Sequence, residues 1–169
     1  TDRYRFHDLL RVYAAERAEA DLPAAERDAA VTRLLTWYMR TADAAASVIS
    51  PHRYNIPLEP AADPAPLAFA DVDDALAWYD SERANLVAAT RQAAGSGLDE
   101  VAWRLPAPLF TMFNRRGNWA DCIATHRVAL ATAPDRHDQR PPGGRPDDPV
   151  DRKVLVHLEG AYRGVGLGP

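Results

Sequence analysis

The residues of this chain that could do chemistry are few and scattered. Five histidines stand at positions 7, 52, 126, 137 and 157, beside a single cysteine, Cys122. A zinc site wants several such ligands at short spacing, and no two histidines here lie one helical turn apart, so no metal is expected. Cys122 reads as a small buried hydrophobe rather than a nucleophile. His126 shares a face with Cys122, Ile123 and Ala129 and reads as a packed ring. Asp71, Asp73 and Asp74 read as a helix cap with solvated charge. No GxxxxGK[ST] loop occurs to cradle a phosphate, and no Ser/His/Asp set or carboxylate pair stands at a credible spacing. What remains is the His7-Asp8 pair in "YRFHDLLRVYA", which opens an amphipathic helix. It is either a capped first turn or a working site.

Composition narrows the classes further. The 169 residues carry 20 basic against 24 acidic side chains, a net charge of −4, so the basic field that nucleic-acid binding needs is missing. No stretch approaches the roughly 20 apolar residues of a membrane helix. A lone cysteine is compatible with a reducing compartment. The expectation is a cytoplasmic chain that touches neither nucleic acid nor membrane.

The elements that must position these residues are helices. The first spans about His7–Ala20, with Phe6, Leu9, Leu10 and Tyr13 on one stripe. The second starts near Pro23, a residue suited to a first turn. Its stripe is Val31, Leu34, Leu35, Tyr38, Ala42, Ala45 and Ile49, ending at Ser50-Pro51. Residues 50–70 hold five prolines and read as an extended connection pinned by Ile56, Leu58, Leu67 and Phe69. Asp71 then caps a helix that Gly95-Ser96-Gly97 stops. From Leu98 to Arg116 the prolines at 106 and 108 either kink one helix or divide it into two. Asn118 with Asp121 is expected to cap the next helix, which runs to Ala133. A polar loop at 134–147 and a last helix with Leu155, Leu158 and Tyr162 complete the chain. Trp78, Trp103 and Trp119 are expected in the core. The fold class is all-α, in antiparallel helical hairpins.

"RRGNWADCIATHRVALATAP", residues 115–134, resembles the tetratricopeptide repeat, a helix–turn–helix unit of about 34 residues. Gly117 stands at the turn, Trp119 follows two later, and Cys122, His126, Ala129-Leu130 and Pro134 keep the spacing. Pro106 and Phe110 depart from the usual tryptophan and glycine, and His126 from the usual Tyr or Phe. Leu158, Tyr162 and Gly166 repeat the mutual spacing of Leu109, Phe113 and Gly117. The resemblance implies a right-handed array over 98–169, one repeat full and one truncated. It also implies a concave face lined by Arg104, Thr111, Asn114, Arg115, Lys153 and Arg163, a basic, polar surface suited to an acidic peptide or a neighbouring domain; an ordinary solvated face is the alternative. If the chain ends at Pro169, its last helix must find cover in a second copy or stay loose.

Four strings in order, "YRFHDLLRVYAAERA", "LLTWYMRTADAAASVISPHR", "LAFADVDDALAWYDSERANLVAAT" and "RRGNWADCIATHRVAL", resemble actinobacterial regulators of the AfsR/SARP type. These are signal-transduction ATPases with an NB-ARC module followed by tetratricopeptide repeats. The resemblance implies that residues 1–22 are the last helix of the winged-helix part, 23–97 a helical hairpin, and 98–169 the repeats. Phe6-His7-Asp8 is similar to the Met-His-Asp motif of such modules, which makes His7 the nucleotide sensor of a longer parent. Without a phosphate-binding loop it is half a site, and no ADP or ATP contact is expected in this chain alone. The implied role is a non-catalytic segment that couples a nucleotide switch to a protein-binding array. The alternative is a free-standing repeat module that binds protein.

Overall fold

A computed structural model describes residues 7–53, 58 and 65–133, and among them there are six helices and no strand. They are α1 (Asp8–Asp21), α2 (Ala24–Ile49), α3 (Val72–Gly95), α4 (Asp99–Arg104), α5 (Pro106–Arg116) and α6 (Trp119–Thr132). The chain divides into two compact units, the boundary falling within α2 between Leu34 and Leu35. The expected 134–147 loop, the last helix and Ile56 lie outside the described residues.

In the N-terminal unit, His7 caps α1 by accepting the Leu9 N–H at Nδ1, 3.4 Å away. The far end of α1 is closed from the next helix. Arg27 donates to the carbonyls of Leu22 at 2.6 Å and Glu19 at 3.3 Å, placing a cation where the helix dipole is negative. Arg17 and Asp21 pair at i, i+4. No residue of α1 is buried. Phe6 of the expected stripe lies outside the described residues, and the rest of it faces solvent, with Leu9 75% and Tyr13 59% exposed.

The larger unit has a core. From α2 come Leu35, Met39, Ala42, Ala45, Ala46 and Ile49, and α3 adds Leu76, Tyr79, Leu86 and Ala93. Leu105, Leu109, Met112, Phe113 and Cys122 are wholly enclosed. α4 packs on α3 and α6, and α5 packs on α6. Alanines on α2 and α3 keep the surface low where neighbours press close. The tryptophans expected in this core are half-buried at its edge; Trp78 meets Phe69, ring centres 5.5 Å apart. Leu67 stays exposed, and its segment is held by its backbone N–H on the buried Thr41 hydroxyl at 3.4 Å.

Local chemistry sets the helix ends. Asp71 accepts the Asp74 N–H at 2.9 Å while Asp74 reaches back to the Ala70 N–H at 3.2 Å, a reciprocal cap at the start of α3. Gly97 and Gly117 both have φ +69, a left-handed conformation that costs other residues about 1–2 kcal/mol. Beyond each, an N–H returns to the helix: Leu98 to the Ala93 carbonyl at 2.9 Å, Asn118 to that of Phe113 at 3.0 Å. The prolines divide the helix rather than kink it. Leu105 still has helical angles, but Pro106 lacks an N–H, so α5 restarts there, and Pro108 sits in a first turn that needs no donor.

One expected cap is corrected. The Asn118 side chain makes no cap bond to α6; its Oδ1 accepts the Tyr79 hydroxyl at 3.0 Å instead. The tyrosine is buried, and an unpaired hydroxyl in the core costs more than an exposed helix end that water can serve.

Candidate functional site

The turn after α2 builds one wall of a cleft. The Ser50 N–H closes the helix on the Ala46 carbonyl at 2.9 Å, and Arg53 N–H bonds the Ser50 carbonyl at 3.1 Å. The Arg53 guanidinium folds back along α2. It donates to the Asp43 carbonyl at 3.1 Å and the Ser47 hydroxyl at 3.3 Å, and pairs with the Asp43 carboxylate. Its side chain is 8% exposed, so the turn is pinned rather than loose. The cation also meets the carbonyl end of α2, where the dipole favours it.

α5 supplies the other wall. Phe110, Thr111, Asn114 and Arg115 stand at i, i+1, i+4 and i+5, which places them on one helical face. With Ile49, Ser50, His52 and Arg53 they enclose an open cleft of about 430 Å³. Among the described residues the lining contains two arginines and a histidine and no carboxylate. Behind it, Phe110 packs edge-on against His126 at 6.0 Å.

Three of the sequence-derived groove residues therefore meet here: Thr111, Asn114 and Arg115. Arg104 does not line this cleft. It sits on α4, paired with Glu100 at 3.2 Å and with its guanidinium 5.0 Å from the centre of the Trp103 ring. Lys153 and Arg163 lie outside the described residues. His7 belongs to the N-terminal unit, exposed, with Nδ1 engaged as a cap. Sequence reasoning missed the α2 side of the cleft. "SPHR" follows a helix end directly, and an arginine at that place is a signal for capping, but its partner Asp43 lies ten residues back.

A second group of polar contacts joins α3 to the α5–α6 turn. Arg116 holds Asp80 through two bonds, 3.0 and 2.5 Å, and Arg83 reaches Asp121 at 3.2 Å. With Tyr79–Asn118 they fix how α3 aligns with the turn, since the reversed polarity of the two ion pairs penalises a slipped register. Burial pushes the Tyr79 hydroxyl well above the ordinary range, chiefly by desolvation.

Cys122 and His126 are both buried, as their surroundings in sequence suggest. The His126 Nδ1 lies 2.8 Å from the Cys122 carbonyl and 3.7 Å from its sulfur. Burial raises the thiol to about 11, so it is a neutral packing group at ordinary pH. Among the described residues no three His, Cys, Asp or Glu side chains gather as a metal site. No described helix is long and apolar enough to cross a membrane.

No family model matches the chain, and no solved structure matches it. Two curated relatives do. The regulatory protein AfsR of Streptomyces coelicolor is 46% identical over 99 residues, 56% of this chain and 10% of that protein. AfsR of Streptomyces griseus is 37% identical over 102 residues, 59% of this chain and again 10% of the relative. The chain thus spans about a tenth of the length of the curated relatives it matches. Over more than half of its own residues it is homologous to regulatory proteins of the AfsR type.

Proposed function

We propose that this chain is a non-catalytic regulatory segment of an AfsR-type transcriptional regulator, coupling a nucleotide switch to a protein-binding helical array. The observation that carries the reading is the 46% identity over 99 residues to a protein named as regulatory. The helical hairpins support it: stacked helices offer shaped surface for a protein partner. In the longer parent, residues up to about 22 are the end of an NB-ARC module, and 98–169 begin a tetratricopeptide array. No cofactor is assigned to this chain; ADP or ATP belongs to the parent. The partner is a protein or peptide, including other domains of the same parent.

His7 is the residue that ties the two halves of this reading together. Its Nδ1 is occupied as a cap, so Nε2 is the nitrogen left for a phosphate oxygen. Changing His7→Ala in the full-length regulator is expected to speed ADP release and shift promoter output away from the resting level. ADP release and promoter output both unchanged would contradict the nucleotide-switch reading.

A further inference from the structure

We propose that the cleft between the Ser50–Arg53 turn and α5 binds a single carboxylate side chain of an extended peptide, with an apolar residue beside it. The proposal rests on the reading of the chain as a protein-binding segment and gives that segment a defined pocket and ligand chemistry.

Charge selects the carboxylate. The Arg53 cation is already balanced by Asp43, and among the described residues no carboxylate lines the cleft to balance Arg115. Among the described residues Arg115 has no ion-pair partner, and it lies exposed at the rim. A guanidinium there accepts one carboxylate through a planar, two-bonded fit. The Asn114 amide, the Thr111 hydroxyl and the His52 ring each add a donor at the same mouth.

The same geometry disfavours a phosphate. The cleft lies against the end of α2 and the C-terminal part of α5, and the carbonyl ends of both helices carry partial negative charge. One arginine surplus on that background matches one negative charge, not two or three. Size points the same way. About 430 Å³ is at the small end of ligand pockets, enough for two or three side chains of a passing strand. Ile49 and Phe110 supply the apolar surface that the neighbouring residue covers.

The test is a titration of the isotopically labelled chain, following the backbone signals of Thr111 and Asn114 and the guanidinium N–H of Arg115. The probe is a capped peptide, acetyl-Gly-Leu-Glu-Leu-Gly-amide, whose only charge is the glutamate. It is expected to shift these signals saturably. Replacing its Glu by Gln should weaken binding at least tenfold, as should R115E in the protein, and N114A should weaken it several-fold. Inorganic phosphate should leave the signals in place. Arg115 and Asn114 are exposed, and unshifted core signals will confirm that the variants fold. Equal binding of the Glu and Gln peptides, full binding by R115E, or phosphate moving the same signals as strongly would each overturn the proposal. If the peptide fails while His7→Ala still alters the parent regulator, the cleft assignment falls alone. If the peptide binds but His7→Ala changes nothing, the cleft stands and the switch reading falls.

Discussion

The two units of this chain are both helical, but different forces hold their helices. In the larger unit, the side chains of Phe113, Leu109, Met112 and Leu86 are wholly enclosed. In the N-terminal unit, α1 buries nothing and depends on good helix formers, the His7 cap, the Arg17–Asp21 pair and Arg27 across its last carbonyls. Such local terms contribute a few tenths to about 1 kcal/mol each, while one buried Leu or Phe contributes several times that. An apolar stripe in sequence thus predicts a helix equally well in both units. It does not reveal whether a covering surface lies in the same chain.

The largest effect that would break this contrast is in the core. Phe113→Ala should cost about 3–5 kcal/mol in chemical denaturation, since it removes an enclosed ring and leaves a cavity. A cost below 1 kcal/mol would mean that the α3–α6 core is not packed as described.

Next in size is a pH effect. The Cys122 thiol is raised from 9.0 to about 11, so the folded state holds its proton where the unfolded state releases it. The stabilisation is complete below pH 9 and fades as pH climbs towards 11, by about 2 kcal/mol. The raised Tyr79 hydroxyl acts in the same direction at the alkaline end. Denaturation curves at pH 8 and pH 10.5 should show the loss, and Cys122→Ala should show a shallower dependence.

Gly117→Ala comes third, at about 1 kcal/mol, because the left-handed angle and not crowding is what the alanine meets. Leu9→Ala is the smallest. The residue is 75% exposed, and the melting transition of the larger unit should move by less than about 0.5 kcal/mol.

Features decided within a few residues were legible in the sequence. The Asp71 cap, the stop at Ser50-Pro51, the glycine endings and the turn at Gly117 all follow from backbone chemistry that neighbours cannot override. The prolines at 106 and 108 left two outcomes open, and the structure chose the division because Leu105 keeps helical angles up to the missing N–H. Features decided across long distances were not legible. Asn118 has the right type and place for a cap, yet a tyrosine 39 residues earlier takes its oxygen. The cleft was half visible: α5 carried Thr111, Asn114 and Arg115 by spacing, but no local rule brings Ser50 and His52 opposite them. Arg104 fits the same spacing argument and stands apart, because Glu100 and Trp103 hold it on α4.

Native-state hydrogen exchange tests the contrast most directly, since it reads the stability of each helix separately in one sample. Amides of Leu86 and Phe113 should exchange only through global unfolding, while those of Val12 and Tyr13 in α1 should exchange orders of magnitude faster through local opening. Equal protection in α1 and α5 would show that both belong to one cooperative core, and the account would be wrong.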